Sequence, residues 1–286
     1  MEGWRRSRVR SRPMSAVFLS ESPEEGEDET VAGRPREFIQ SLERGLGIIR
    51  AFGPQAPEQT VSQLASTTGL TRATARRFLI TLIELGYVES DGRIFRLTPR
   101  VLELGYSFLS GLGFPDAALP HLERLVAEVD ESSEASVLDG EDIVYVVRVP
   151  STAVMTIAIN VGARMPAHAT SMGKVLLASL PDADLDAYLE RATLRRFLPR
   201  TVTDPGELRT QLERVRAAGY AIVDQELEEG LVAIAAPVHD RGGRTVGAIN
   251  LSTHVMRRSV DSLRDELVEP LLRTARSIEA DLAGVA

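Results

Sequence analysis

The stretch LASTTGLTRATARRFLITLIELGYVE, residues 64–89, decides the fold of the first half of the chain. Its second part predicts a helix that begins after the N-cap Thr71 and ends at Gly86. Five apolar residues at helical spacing mark the buried face of this helix: Ala75, Phe78, Leu79, Leu82 and Leu85. The preceding residues predict a shorter helix from the N-cap Thr60 to Gly69. The turn TGLT joins the two helices tightly, as in a helix-turn-helix.

The flanking residues extend this pattern to a winged helix-turn-helix. On the N-terminal side, Phe38, Leu42, Leu46 and Ile49 repeat at helical spacing and predict a first helix. On the C-terminal side, YVES and RIFRLT predict two short strands around the turn Asp91–Gly92. Three helices followed by a hairpin are typical of a domain that places its third helix in the major groove of DNA.

The outer face of the third helix carries residues suited to a DNA groove. Small residues let a helix enter deeply, and arginines reach guanine edges or phosphates. Arginines beside the hairpin would meet the phosphate backbone or the minor groove. The residues predicted to contact DNA are Thr60, Ser62, Thr71, Arg72, Ala73, Thr74, Arg76, Arg77, Arg93 and Arg96. An ordinary charged face on a small helical domain is the alternative interpretation.

Composition and charge agree with a two-domain protein that binds nucleic acid. Residues 34–113 carry 10 arginines against 7 acidic residues, although the whole chain of 286 residues has a net charge of −8. The absence of cysteine excludes disulfides and thiolate metal sites. Apolar runs fall short of the roughly 20 residues of a membrane span, so we expect a cytoplasmic protein without membrane contact.

Four segments follow from these patterns. Residues 1–36 contain ESPEEGEDET and predict a disordered tail, with Met14 as an alternative start. Residues 37–98 form the predicted DNA-binding domain, and 99–113 a linker helix. Residues 114–286 alternate between helices and strands, among them pairs of strands around Asp139–Gly140 and around DRGG, a third strand at MTIAINVG, and a closing helix over 260–283. An antiparallel sheet with helices beside it predicts an α+β sensor domain.

The loop NVGARMPAHATSMGK, residues 160–174, leads into a helix and indicates an anion site. The first N–H groups of a helix lack internal partners and attract a carboxylate. Arg164 and His168 lie just upstream and could add positive charge. Lys174 is the only lysine of the chain, and the alternative for it is a surface lysine paired with a nearby acid. On the strand GAINLS, Asn250 and Ser252 share one face and need partners from the protein or a ligand.

Catalysis has weaker support. Ser171 and Lys174 have the S-x-x-K spacing of serine acyl enzymes, but the S-D-N and K-T-G motifs are absent. Val175 stands where a P-loop needs Ser or Thr. The four histidines lack the spacing of metal ligands, so we predict no metal site; they are His121, His168, His239 and His254. Because the catalytic motifs are incomplete, we also predict no enzyme and no cofactor.

With these motifs assembled, the chain resembles the IclR family of bacterial transcriptional regulators. QSLERGLGIIRAF, RIFRLTPRVLELG, HATSMGKVLLA, DQELEEGL and AINLS occur in family order between Phe38 and Leu282. The resemblance implies a winged helix-turn-helix, a linker helix and a GAF-like effector domain. It also implies homodimers, often paired into tetramers, on palindromic promoter DNA. The branch it resembles most controls aromatic-acid catabolism through the protocatechuate and 4-hydroxybenzoate (β-ketoadipate) pathways.

The resemblance also implies where a small carboxylate effector binds. Family ligand contacts fall on Gly162, Ala163, Asn250 and Ser252. Family members that bind small keto acids have a serine at the position of Asn250, a cysteine at Ala233 and an aspartate at Val223, so a differently shaped pocket is expected. The predicted effector is an aromatic acid or a dicarboxylate from its breakdown. The predicted effector-binding residues are Met155, Gly162, Ala163, Arg164, Met165, His168, Thr170, Ser171, Met172, Asp224, Ala233, Asn250 and Ser252.

The sequence thus predicts a ligand-responsive DNA-binding regulator of aromatic-acid catabolic genes. Three alternatives stay open. The first is a regulator of the same type that responds to another small carboxylate, and the second is a serine hydrolase that uses Ser171 and Lys174. The third is an architectural DNA-binding protein that takes no ligand.

Overall fold

The computed structural model describes residues 35, 37–53, 55–151 and 160–284. Most of the predicted tail, most of the predicted strand MTIAINVG, and Met155 with it, lie outside the described residues. The chain divides between Thr98 and Pro99 into two compact units. No helix in the described part is long and apolar enough to span a membrane.

The described part of the first unit contains three helices and a small antiparallel sheet whose strands run in the order β1-β3-β2. Local signals explain its helix ends, because Thr60 forms a capping box with Gln63, Gly69 ends α2 with a φ of 68°, and the Thr71 hydroxyl accepts the Thr74 N–H. The elements are α1 (Gln40–Arg50), β1 (Glu58–Thr60), α2 (Val61–Thr68), α3 (Arg72–Glu84), β2 (Val88–Ser90) and β3 (Ile94–Leu97). The predicted helices and hairpin are present, and β1 is an additional strand.

The core of this unit takes residues from all three helices and from both strands of the hairpin. Leu64, Ala75, Leu79 and Leu82 are buried, as their spacing indicated, whereas Leu85 of the α3 stripe is half exposed. In α1, Ile48 is buried, and Leu42 and Leu46 are exposed, as is Phe38 just before the helix. The predicted first helix is thus present, and of the four residues that indicated it only Ile49 packs against this core.

The second unit is an antiparallel sheet whose six described strands run in the order β6-β5-β4-β9-β8-β7. The strands are β4 (Ser133–Asp139), β5 (Asp142–Val149), β6 (Arg164–Pro166), β7 (Ala221–Asp224), β8 (Leu231–His239) and β9 (Thr245–His254). The helices are α4 (Glu103–Leu112), α5 (Phe114–Val129), α6 (Ser171–Ala178), α7 (Asp182–Arg191), α8 (Pro205–Ala218), α9 (Val260–Ser262) and α10 (Val268–Gly284). A 3₁₀ turn (Pro99–Leu102) precedes α4, and a π-helical stretch (Leu263–Leu267) interrupts the predicted closing helix.

Each face of this sheet has its own apolar core. On one face, α5 and α10 pack against residues such as Ile249 and Leu251. On the other face, α6, α7 and α8 pack against residues such as Ala248, next to Ile249 on the same strand. This alternation along β9 is the ordinary consequence of side chains that point to opposite faces of a strand. The observed fold is α+β, with a winged helix-turn-helix followed by a sheet covered by helices.

Candidate DNA-binding face and effector cavity

The exposed side of α3 carries the predicted DNA contacts. Arg72, Ala73, Arg76 and Arg77 are exposed, while Ala75 on the opposite side is fully buried. Thr74 is half-buried, and its hydroxyl lies 2.9 Å from the Thr71 hydroxyl. Three arginines and a small residue thus occupy the face of a helix whose other face is anchored in the core. This arrangement fits a recognition helix in a major groove.

Two further predicted contacts lie on or before α2. Ser62 is exposed in the first turn of the helix. The Thr60 hydroxyl accepts the Gln63 N–H at 3.3 Å and donates to Gln63 Oε1 at 2.9 Å. The Thr60 hydroxyl therefore caps α2. This leaves it less free to bind a DNA phosphate.

The hairpin gives its two arginines different surroundings. Asp91 Oδ1 accepts the N–H groups of Ile94 and Arg93, which holds the pKa of Asp91 below its usual range and fixes the turn. The Arg93 side chain beside this turn is exposed. The Arg96 guanidinium instead donates to Glu58 Oε1 at 2.7 Å across β1 and β3. Arg93 is thus the freer of the two to contact DNA.

A cavity in the second unit lies between the sheet, the N-terminal end of α6 and the segment that follows β7. Its volume, counted as the space that the centre of a water molecule can occupy, is about 40 Å³. Apolar and polar side chains contribute to its walls. The lining residues are Glu134, Tyr145, Met165, Ala169, Thr170, Ser171, Met172, Val223, Glu226, Leu227, Leu231, Ala233, Asn250 and Ser252.

The wall formed by α6 is held by close packing at Gly173. The Thr170 hydroxyl caps the helix by accepting the Gly173 N–H at 3.2 Å. A Cβ added to Gly173 would lie 2.1 Å from the carbonyl oxygen of Ala167. Glycine at this position therefore lets α6 begin directly against the 3₁₀ turn Ala167–Ala169, which brings Thr170, Ser171 and Met172 to the cavity.

Lys174, in the first turns of α6, forms a buried ion pair behind the cavity wall. Its Nζ lies 2.5 Å from Glu226 Oε1 and 2.8 Å from Gln211 Oε1. Burial lowers the pKa of Lys174, although the adjacent Glu226 favours its charged form. The alternative of a surface lysine is wrong, since Lys174 is 2% exposed, but its partner is indeed an acid. The Nζ atom of Lys174 is hydrogen-bonded to Glu226 and Gln211. Lys174 is therefore not available as the general base for Ser171 that the hydrolase alternative requires.

Asn250 and Ser252 find a protein partner on the neighbouring strand. Asn250 Oδ1 accepts the Glu134 N–H at 2.7 Å, and the Ser252 hydroxyl donates to Glu134 Oε2 at 3.2 Å. Glu134 itself is 2% exposed. Its burial raises the pKa of the carboxyl more than the hydrogen bonds and the charge of Arg148 lower it. The three side chains form a polar network at the cavity wall.

The comparison with known proteins decides the family. A family profile described as "Bacterial transcriptional regulator IclR C-terminal" matches residues 107–280, which is more than half of the chain. A second, described as "IclR helix-turn-helix domain", matches residues 41–92.

The chain belongs to the IclR family.

Relatives of this IclR protein are named as regulators of aromatic-acid genes. It is 40% identical over 249 residues to the Pca regulon regulatory protein of Pseudomonas putida, covering 87% of this chain and 86% of the relative. It is 35% identical over 250 residues to the p-hydroxybenzoate hydroxylase transcriptional activator of Acinetobacter baylyi, covering 86% and 92%. The chain is a DNA-binding transcriptional regulator of the IclR type rather than an enzyme.

Two solved structures share this IclR fold. A transcriptional regulator from Rhodococcus sp. RHA1 superimposes with a TM-score of 0.78 at 53% identity, covering 87% of this chain and 100% of that one. An IclR homolog from Microbacterium hydrocarbonoxydans, complexed with 4-hydroxybenzoate, gives a TM-score of 0.75 at 28% identity, covering 85% and 98%.

The structure places about half of the predicted effector residues at the cavity of this IclR protein. Those that line it are Met165, Thr170, Ser171, Met172, Ala233, Asn250 and Ser252. Gly162 and Ala163 precede β6 and do not line it, although the Gly162 N–H donates to the carbonyl of the lining residue Tyr145 at 2.8 Å.

Three predicted charged or polar contacts lie away from the cavity. Arg164 is exposed, and its guanidinium donates to Asp139 at 2.5 Å and Asp142 at 3.2 Å. His168 is buried with Nε2 lying 3.0 Å from the Arg195 carbonyl. Asp224 forms an ion pair with Arg200. Each side chain is bound by groups outside the cavity, so none of the three lines it.

Sequence reasoning missed Glu134, Tyr145 and Glu226 at the cavity. Glu134 stands in SEASVL, where an acid interrupts a strand of small and apolar residues. That pattern is the signal that could have revealed it, because a buried acid needs a partner or a function. Glu226 lies in an acidic run that usually indicates a solvated loop, and only the fold brings it to Lys174.

Proposed function

We propose that this regulator controls aromatic-acid catabolic genes and that its effector is an aromatic carboxylate bound in the cavity of the second unit. The observation that carries the proposal is the mixed cavity wall, with apolar side chains for a ring and the polar groups of α6 and β9 for its substituents. The names of the relatives and the 4-hydroxybenzoate complex of the Microbacterium homolog support it. A dicarboxylate from the breakdown of such a ring is the second effector class.

The effector carboxylate is proposed to lie at the N-terminal end of α6. Thr170 and Ser171 line the cavity there, and the first backbone N–H groups of a helix carry partial positive charge. The aromatic ring would contact Met165, Met172 and Ala233. Asn250 and Ser252 on β9 would bond the effector or hold Glu134 against it.

The DNA-binding half of the proposal uses α3 in the major groove and the hairpin beside it. Members of a homodimer would each read one half of a palindromic operator, with half-sites roughly 34 Å apart. The regulator is proposed to act in the cytoplasm as an assembly of two or four chains, and exposed apolar side chains support the assembly. They lie on α1, just before it, and on the proposed linker segment 99–113, and are Phe38, Leu42, Leu46, Leu102, Leu104, Tyr106 and Phe108.

A thermal unfolding screen tests the effector class. We expect 4-hydroxybenzoate or protocatechuate at millimolar concentration to raise the melting temperature, since a ligand of the folded state stabilises it. Ser252→Ala and Asn250→Ala should require roughly tenfold more ligand for the same shift, because each loses about one hydrogen bond. If neither aromatic acid nor β-ketoadipate shifts the wild-type transition, the proposed effector class is wrong.

A further inference from the structure

The described walls of the cavity lack the basic side chains that usually bind an anionic ligand. None of the described residues that line it is basic, whereas two of them, Glu134 and Glu226, are acidic. Residues 152–159, beyond the described part, read TAVMTIAI and contain no ionisable side chain. An effector carboxylate would therefore enter a space with two carboxyl groups and no lysine, arginine or histidine contributed by its described walls.

The two acids differ in how their charge is compensated. Glu226 is paired with Lys174 at 2.5 Å, so its charge is neutralised on the side away from the cavity. Glu134 Oε2 accepts a hydrogen bond from the Ser252 hydroxyl at 3.2 Å, and the Glu134 carboxyl is also hydrogen-bonded to the Asn250 side chain. Among the described ion pairs of 4 Å or less, none contains Glu134. An isolated carboxylate with this burial is much less favourable than the neutral acid.

We propose that Glu134 takes part in the effector complex as a neutral carboxylic acid and donates a hydrogen bond to the carboxylate of the effector. The inference rests on the proposed function, because it requires an effector that carries a carboxylate. A protonated carboxyl has one O–H donor, whereas an ionised one only accepts. Glu134 would thus supply the donor that an arginine supplies in other carboxylate sites. The effector anion would in turn oppose ionisation of Glu134.

The charged and titratable groups that face Glu134 agree with a neutral acid. Tyr145 on β5 and Glu226 after β7 line the same cavity, and either would add negative charge if ionised. Arg148 on β5 is the one cation that acts on the Glu134 carboxyl, and it favours the ionised form. Burial has the larger effect and raises the pKa of Glu134. The groups contributed by β9, Asn250 and Ser252, carry no charge.

An alternative role for Glu134 is to bind the hydroxyl group on the ring of the effector rather than the carboxylate of the effector. An ionised Glu134 would accept the hydroxyl of 4-hydroxybenzoate and would repel the carboxylate of any effector. The two roles predict opposite responses when the ring hydroxyl or the effector carboxylate is removed. Three probes separate them: 4-hydroxybenzoate, benzoate and 4-hydroxybenzamide.

The test is calorimetric titration of the full chain with these probes at pH 7. Glu134→Gln keeps a donor and should bind 4-hydroxybenzoate within about threefold of wild type. Glu134→Ala removes the donor and should weaken 4-hydroxybenzoate and benzoate roughly 10- to 100-fold, as expected for a hydrogen bond to a charged group. The carboxamide oxygen of 4-hydroxybenzamide accepts a weaker hydrogen bond than a carboxylate, so binding of the amide should weaken by less than about tenfold and by less than binding of the acid. Glu190→Gln, at an exposed position of α7, is the matched control and should change nothing.

Four outcomes would overturn the inference. They are unchanged binding by Glu134→Ala, equal losses for the acid and the amide, a loss confined to ring-hydroxylated probes, and acid binding at least tenfold tighter by Glu134→Gln. A wild-type protein that binds neither acid overturns the proposed effector class, and the inference falls with it. Operator binding and the unfolding temperature of each variant without ligand verify that it is folded.

Discussion

Lys174 Nζ and Glu226 Oε1 lie 2.5 Å apart, and both side chains are buried at the wall of the cavity in the second unit. Lys174 belongs to α6, whose first residues line the cavity, and Glu226 follows β7 and lines it as well. The ion pair thus joins two segments of the cavity wall that are 52 residues apart in sequence. The only lysine of the chain therefore has a structural role next to the cavity.

Removal of the lysine should destabilise the second unit strongly. Lys174→Met leaves the Glu226 charge buried without its partner, so we expect the free energy of unfolding to fall by about 3–5 kcal/mol. Adding Glu226→Gln in the same chain removes that charge and should restore most of the loss. Urea unfolding of the single and double variants measures both effects. A loss of unfolding free energy below about 1 kcal/mol in Lys174→Met would show that the ion pair does not hold the two segments of the cavity wall together.

The close approach at Gly173 gives a steric prediction. Gly173→Ala places a Cβ 2.1 Å from the Ala167 carbonyl oxygen, so the start of α6 must shift. We expect a loss of about 1–3 kcal/mol together with weaker effector binding. Gly47→Ala is the matched control, because a Cβ there meets nothing within 4 Å inside α1. It should leave effector binding unchanged and stabilise by about 0.5–1 kcal/mol. Equal stability of the two variants would argue against the packing described for α6.

The recognition helix gives a prediction for DNA binding. Arg72→Ala and Arg76→Ala remove exposed arginines of α3 and should each weaken operator binding by about 1–3 kcal/mol, while effector binding stays unchanged. In a variant that loses a phosphate contact, the negative slope of log affinity against log salt concentration should also become about 0.9 less steep. Arg50→Ala, at the end of α1, is the control. Fluorescence anisotropy with a promoter duplex measures these effects, and normal binding by both α3 variants would refute the assignment.

The buried acid gives a pH dependence of stability. Burial raises the pKa of Glu134 in the folded chain, whereas in the unfolded chain it stays near about 4.3. Above that pH the folded state holds a proton that the unfolded state has lost, so this group makes stability fall as pH rises towards the folded pKa. Glu134→Gln should therefore gain stability relative to wild type as the pH rises above the unfolded pKa of about 4.3, at up to about 1.4 kcal/mol per pH unit. Parallel stability profiles for the two proteins would contradict a raised pKa.

Much of the first unit was predictable because its signals are local. Thr60, Gly69 and Thr71 act on neighbours within a few residues, and a cap or a left-handed glycine has the same role in any fold. Apolar spacing predicted α1 as well, although such a pattern does not tell what covers the apolar face. Phe38, Leu42 and Leu46 are exposed within their own unit, whereas Ile49 packs against its core.

The cavity was only half predictable because its residues meet through long-range contacts. Asn250 and Ser252 could be named from their alternation on an apolar strand, but their partner Glu134 lies 116 and 118 residues away. Arg164 and His168 were expected near the effector because they are close to α6 in sequence. Their side chains instead bind Asp139, Asp142 and the Arg195 carbonyl, which only the folded sheet brings near.

In the proposed function, a small aromatic acid bound in the second unit changes how α3 binds DNA. The direct measurement is the dissociation constant of a promoter duplex as 4-hydroxybenzoate is titrated. We predict a change of at least about fivefold for wild type, as is typical of coupled sites, with the midpoint moved to higher ligand concentration in Ser252→Ala. An operator affinity that stays constant, in a chain that demonstrably binds both molecules, would contradict it.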